Sequence, residues 1–181
     1  MLLSAELQRD VEALASLPLQ RIKELGLSLA EAWILREVIF EQIRRDEYPA
    51  ARCRIGSVYL FRTEDDARAY RQDVRGWYGG ANAGAQYLHL TAADIPAKQL
   101  FEGDTTLLAV LSPYFDQNVA NFTKSARRYW LGEQSETPLL EILAPPNVVR
   151  VDKVIPWGAD DSPKERAARR RSIRRLVSLM H

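Results

Sequence analysis

Histidine and cysteine are nearly absent from this chain. Its 181 residues include two histidines, His89 and His181, and one cysteine, Cys53. No internal disulfide can form, no Cys/His cluster can hold structural zinc, and no metal site is expected. A Ser-His-Asp triad would have to use His89. That residue alternates with Leu88 and Leu90, so it sits on the opposite face of a short strand, where a structural or surface role is the simplest reading. Long apolar runs are also lacking. Nothing approaches the roughly 18 apolar residues that mark a membrane span. The N-terminal stretch carries Glu6, Arg9, Asp10 and Glu12 and does not read as a signal peptide, so the cytoplasm is the expected compartment. There is no G-x-x-x-x-G-K-[ST] phosphate loop. The glycine-rich stretch at 79–84 follows a helical pattern and precedes a strand, the reverse of a dinucleotide fingerprint. It reads as a connector or as a loop covering a ligand.

The remainder is ordinary globular composition, 46% apolar and 27% charged. That suffices for one domain with its own core. Charge is unevenly placed. Lys164, Arg166, Arg169, Arg170, Arg171, Arg174 and Arg175 face only Glu165 in the last 19 residues, so a mildly acidic body carries a basic tail. We expect a single domain over 1–158, with a helical extension at 1–27, and a basic terminal helix over 159–181. The tail is either a solvated helix packing through Ala167, Ile173, Leu176 and Val177, or a grip for nucleic acid or an acidic protein surface. It lacks the interleaved aromatics that would stack on bases.

Periodicity predicts helices over 4–16 and from Pro18 to Gly26, the glycine serving as the terminator. Ser28 and Glu31 form a capping box for a helix running to residue 47. Trp33, Ile34, Val38 and Phe40 wrap more than one of its faces, so it should be largely buried. Strands are expected at 54–62, 86–91, 139–143 and 148–155. Thr63 should cap a helix beginning at Glu64, and a further helix spans 117–131, ended by Gly132. Residues 105–111 fit helix or strand equally. Strands and helices mix without a βαβ rhythm, so the fold class is α+β.

One carboxylate is conspicuous. Glu141 stands alone in the apolar run LLEILA, which stops at Pro145-Pro146. An unpaired carboxylate buried in a strand costs several kcal/mol. Glu141 therefore faces solvent as an ordinary strand residue, or it stands at the mouth of an active site. Glu37 and Glu41 lie one helical turn apart, with Arg44 and Arg45 in reach. They read as a salt-bridged surface row, or as an acid–base or metal pair. Tyr129-Trp130 share helical spacing with Phe122 and Ala126, so they are core or the wall of a ligand site. Asp104 after Gly103 is a turn or a helix cap.

Taken in order, EVIFEQIRRDEYPAARCRIGSVYLF, FEGDTTLL and ARRYWLGEQSETPLLEILAPPNVVRV resemble a family of small bacterial and phage proteins of uncharacterised function with an ADP-ribosyltransferase-like fold. The matching positions include Glu37, Phe40, Glu41, Arg44, Pro49, Arg54, Ser57, Gly103-Asp104, Tyr129-Trp130, Gly132-Glu133 and Glu141-Ile142-Leu143. The resemblance covers about residues 30–155. It implies a mixed sheet and NAD as substrate, with Glu141 as the catalytic carboxylate supporting an oxocarbenium-like transition state. Ser57 would hold that glutamate, and Arg54, with Arg52 as the other option, would stand in for the missing phosphate anchor. His89 joins Arg54 and Ser57 as a cofactor-binding residue on this reading. The chain departs from the pattern at its start, where helices occupy the place of the first, anchoring strand. Two functions are implied: ADP-ribosyl transfer or NAD glycohydrolysis, with a protein as a possible acceptor, or a non-catalytic module on the same fold that binds a protein or nucleic acid.

Overall fold

The computed structural model describes residues 5–26, 32–63, 65–67, 69–70, 87–90, 95–108, 112, 114–148 and 151–155. The side chains of 5–8, 32, 87–90, 148 and 151–155 fall outside that description. Helices α1 (Ala5–Ala15), α2 (Leu19–Glu24) and α3 (Ala32–Glu47) come first, followed by strand β1 (Val58–Leu60). Then come β2 (Tyr87–Leu90), β3 (Phe101–Asp104), helix α4 (Phe115–Trp130), β4 (Leu140–Ala144) and β5 (Val151–Ile155). The class is α+β, as expected.

Two antiparallel sheets are present among these residues. One has strand order β1-β4-β3, with β4 in the middle, and the other pairs β2 with β5. Along β4, Leu143 lies opposite both Tyr59 and Phe101, and Glu141 lies opposite Gly103. Because side chains alternate, Glu141 and Leu143 share one face and Ile142 and Ala144 the other. Ile142 and Ala144 pack with Val58, Leu60, Ile95 and Leu100 in a small cluster. The opposite face looks into the main core.

Helix α3 is buried at every position from Ile34 to Glu41, because α1 flanks it on one side and α4 on another. The helical N-terminal extension packs into the same core through Val11, Leu14, Ile22 and Leu25. Gln42 fastens it by donating its amide hydrogens to the carbonyls of Ala15 and Leu17 (3.2 and 2.8 Å). Between α3 and α4, the Trp130 indole N–H donates to the Phe40 carbonyl at 2.9 Å. An indole donor left unpaired in the core would cost stability, so this bond fixes the approach of the two helices.

Several boundaries differ from expectation. Residues 54–57 form a turn instead of the start of a strand, closed by Ser57 N–H to the Arg54 carbonyl at 3.1 Å. The turn aims Arg54 into the core. β3 had no counterpart among the expected strands; Gly103 breaks its alternation and hides it. Thr105–Leu108 is a 3-10 turn, neither α-helix nor strand. Thr63 does cap residues 65–67, its Oγ1 accepting from Asp66 N–H at 3.0 Å. The Ser28–Glu31 capping box, the glycine-rich stretch and the basic tail lie outside the described residues.

Candidate functional site: a buried ion cluster around Glu141

Glu141 is neither exposed nor alone. Its relative exposure is 0%, which overturns the reading as an outward-facing strand residue. Its Oε1 accepts a hydrogen bond from the Tyr129 hydroxyl at 2.6 Å and pairs with Arg54. Its Oε2 is buried with no hydrogen-bond partner, the one such side-chain atom among the described residues. Gly103, directly across on β3, makes room for this: a Cβ there would collide with the Tyr129 ring.

Arg54 is 3% exposed and ties three groups together. It donates from Nη1 to the Tyr129 hydroxyl oxygen (2.9 Å) and from Nε to Glu37 Oε2 (3.3 Å), and it pairs with Glu141. A solvated arginine is therefore excluded. Its guanidinium also lies 5.1 Å from the Tyr129 ring centre and 5.2 Å from that of Tyr59, in cation–π range. The other Glu37 oxygen accepts two bonds from Arg36, at 3.1 and 2.8 Å. Two arginines and two glutamates thus form a formally neutral cluster in the interior, linked through one phenol. Buried charges persist only when paired and hydrogen-bonded in this way.

The proton affinities agree with the geometry. Burial opposes the charge on Glu37, but Arg54 and Arg36 more than offset it and hold its pKa below the usual value. Burial likewise opposes the Arg54 cation, and the surrounding Tyr129, Glu37 and Tyr59 outweigh it, so Arg54 stays protonated. Burial drives the Tyr129 pKa upward against the pull of Arg54. Tyr129 is therefore a neutral phenol that accepts from Arg54 and donates to Glu141.

Glu37 and Glu41 are salt-bridged, but not on the surface. Glu41 is 3% exposed and accepts from both Arg44 and Arg45 at 2.8 Å. Arg44 in turn donates to the Ala51 carbonyl at 3.0 Å, so this pair anchors the chain leading to Arg54. Neither glutamate is free for metal or acid–base work. Asp104 is a cap, as one of its two readings had it. Its Oδ1 accepts from the backbone N–H of Thr106 and Leu139 (2.9 and 3.1 Å), its Oδ2 from that of Ser135 (2.7 Å). Those bonds hold the approach to β4 and so the position of Glu141.

Ser57 does not hydrogen-bond the glutamate it was expected to hold; it is fully buried, and its hydroxyl donates to the Cys53 carbonyl at 2.5 Å. Tyr129 and Arg54 hold Glu141 instead. His89 lies opposite Lys153 in the β2–β5 pair, and its side chain is outside the described residues. Tyr129 and Trp130 are core, as their spacing implied, yet Tyr129 is also a polar member of the site. Arg36 was missed. A signal for it existed: an Arg-Glu pair in the middle of ILREVIF, a segment apolar on every face, has no outward side on which to place its charges.

Among the described residues no group of His, Cys, Asp and Glu could hold a metal ion. No described helix is long and apolar enough to cross a membrane. A search of curated proteins finds no match. A family model described as a protein of unknown function, DUF2441, matches residues 19–156. That span contains every member of the cluster, and the chain belongs to the DUF2441 family.

Proposed function

We propose that the protein is an ADP-ribosyltransferase-like enzyme that breaks the nicotinamide–ribose bond of NAD, with Glu141 as its carboxylate. What supports this reading is the asymmetry of that carboxylate, one oxygen held by Tyr129 and Arg54 and the other buried without a partner. An unsatisfied buried acceptor costs about 1–3 kcal/mol, more when charged, and calls for an explanation. As the glycosidic bond lengthens, positive charge develops on the ribose, and a fixed carboxylate oxygen is the group that stabilises it. Nicotinamide departs with the bonding pair. The acceptor oxygen, from a protein hydroxyl or water, then bonds to the anomeric carbon and releases its proton. On this reading Arg54 and Tyr129 position Glu141, and substrate reaches Oε2 only when the site opens.

The closure of Glu141 favours a second reading. A carboxylate at 0% exposure whose arginine is already committed can be purely architectural. The protein would then be a non-catalytic module with a protein or nucleic-acid partner. Calorimetric titration of the full chain with NAD and with nicotinamide separates the two. The enzymatic reading expects saturable heat, a higher melting temperature with NAD, and loss of turnover in a folded Glu141→Gln variant. Absence of heat and of any thermal shift would leave the binding module.

A further inference from the structure

A second site lies one turn of chain away from the cluster. A cavity of about 300 Å³ opens between the stretch from Ala50 to Cys53 and that from Lys98 to Phe101. Its size is at the lower end for small-molecule sites. Neither Glu141 nor Arg54 lines it, so a ligand bound there is independent of NAD chemistry.

The charge of the lining is one-sided. Arg52 and Lys98 contribute two cations, and no carboxylate takes part. Arg52 donates its Nε to the Gln99 carbonyl across the cavity at 3.1 Å. That bond holds the guanidinium between the two walls and leaves its terminal N–H groups without partners among the described residues. Lys98 is exposed and has no ion-pair partner among them either. A guanidinium fixed through Nε presents its remaining donors as a planar fork, the geometry that matches phosphate oxygens. The lining is mainly polar, since the Phe101 ring is turned to Tyr129 and Trp130 and Leu100 packs against the cluster of Val58 and Ala144. Cys53 adds no competing anion, since burial and then Glu41 push its thiol up to about 11.

We propose that this cavity binds a small phosphate dianion, free or as a monoester, held between Arg52 and Lys98. A guanidinium held through Nε and a Lys98 ammonium unpaired among the described residues together match two negative charges.

The test titrates full-length protein with phenyl phosphate and separately with inorganic phosphate, followed by ¹H–¹⁵N NMR. At least one of the two should saturate and shift the amides of 51–53 and 99–101, and the tighter binder tells an ester from free phosphate. Lys98→Gln and Arg52→Gln should each raise its Kd about tenfold, the scale of one charged hydrogen bond. Lys124→Gln, which removes an exposed charge elsewhere, should leave the Kd unchanged. Because Arg52→Gln also breaks the bond to Gln99, Lys98→Gln keeps the test decisive if the first variant is destabilised. Saturation by neither ligand, shifts mapping to another surface, or an unchanged Kd in Lys98→Gln would each overturn the proposal.

Discussion

At the residue scale, the cluster should respond to mutation as a unit. Removing one partner of a buried ion pair leaves the other charge uncompensated, a loss of roughly 3–5 kcal/mol. Arg54→Met, which strands Glu141 and leaves Glu37 with Arg36 alone, should lie in that range by urea denaturation. Glu141→Gln should cost less, because an amide oxygen can still accept from Tyr129. The double variant should be less destabilised than the sum of the two, with a coupling of about 0.5–3 kcal/mol. Strict additivity would mean that the Arg54–Glu141 pair is not energetically real. Gly103 has a steric role that is equally specific. A methyl group there meets the Tyr129 ring, so Gly103→Ala should destabilise by about 1–3 kcal/mol, as overpacking does. If Tyr129 swings aside instead, near-ultraviolet circular dichroism should change while stability holds.

At the scale of elements, helix ends carry the clearest local chemistry. Helix α4 ends with Gly132 at φ +72°, and Glu133 N–H bonds the Arg128 carbonyl while Gly132 N–H bonds that of Tyr129. This is the Schellman arrangement, which needs a left-handed residue. Gly132→Ala should therefore cost about 1–2 kcal/mol, read as a lower denaturation midpoint with an unchanged slope. Such signals explain why α1, α2 and α4 were legible from spacing and terminators, and why the buried character of α3 followed from apolar residues on every face. β3 was not legible, because FEGD offers no alternation, its glycine being demanded by Tyr129 from a distant helix. The site was half legible for the same reason. Glu141 stands out as an acid in an apolar strand. Its partners Arg54, Tyr129 and, through Glu37, Arg36 come from a turn and two helices that no local pattern links to it. Arg54 in particular fell within the strand expected over 54–62, and only the 54–57 turn directs it inward.

At the scale of the whole molecule, stability should depend on pH through several buried acids acting together. Glu37, Glu41 and Asp104 all have folded-state pKa values below their ordinary values of 4.5, 4.5 and 3.8. In each case burial works against the charge and the neighbouring donors prevail: Arg54 and Arg36 for Glu37, Arg44 for Glu41, and backbone N–H groups of Ser135 and Thr106 for Asp104. Above about pH 5 all three are ionised in the folded and unfolded chain, and their stabilisation is fully present. Below that, the unfolded chain takes up protons first, and stability falls by up to about 1.4 kcal/mol per pH unit for each group. On the alkaline side the sign reverses. The Cys53 thiol is raised from 9.0 to about 11, by burial first and Glu41 second, so its contribution is complete below pH 9 and is lost as pH rises toward 11. Urea midpoints measured from pH 3 to pH 10 should thus trace a plateau between about pH 5 and pH 9, with the steeper fall on the acid side. Glu37→Gln should lower the plateau, since Arg54 and Arg36 lose their counter-charge, and should make the acid limb shallower by one titrating group. An acid limb of unchanged slope in that variant would show that folding does not lower the Glu37 pKa, and a steeper limb that Glu37 is protonated within the fold; either result would require the neutral four-charge cluster to be redrawn.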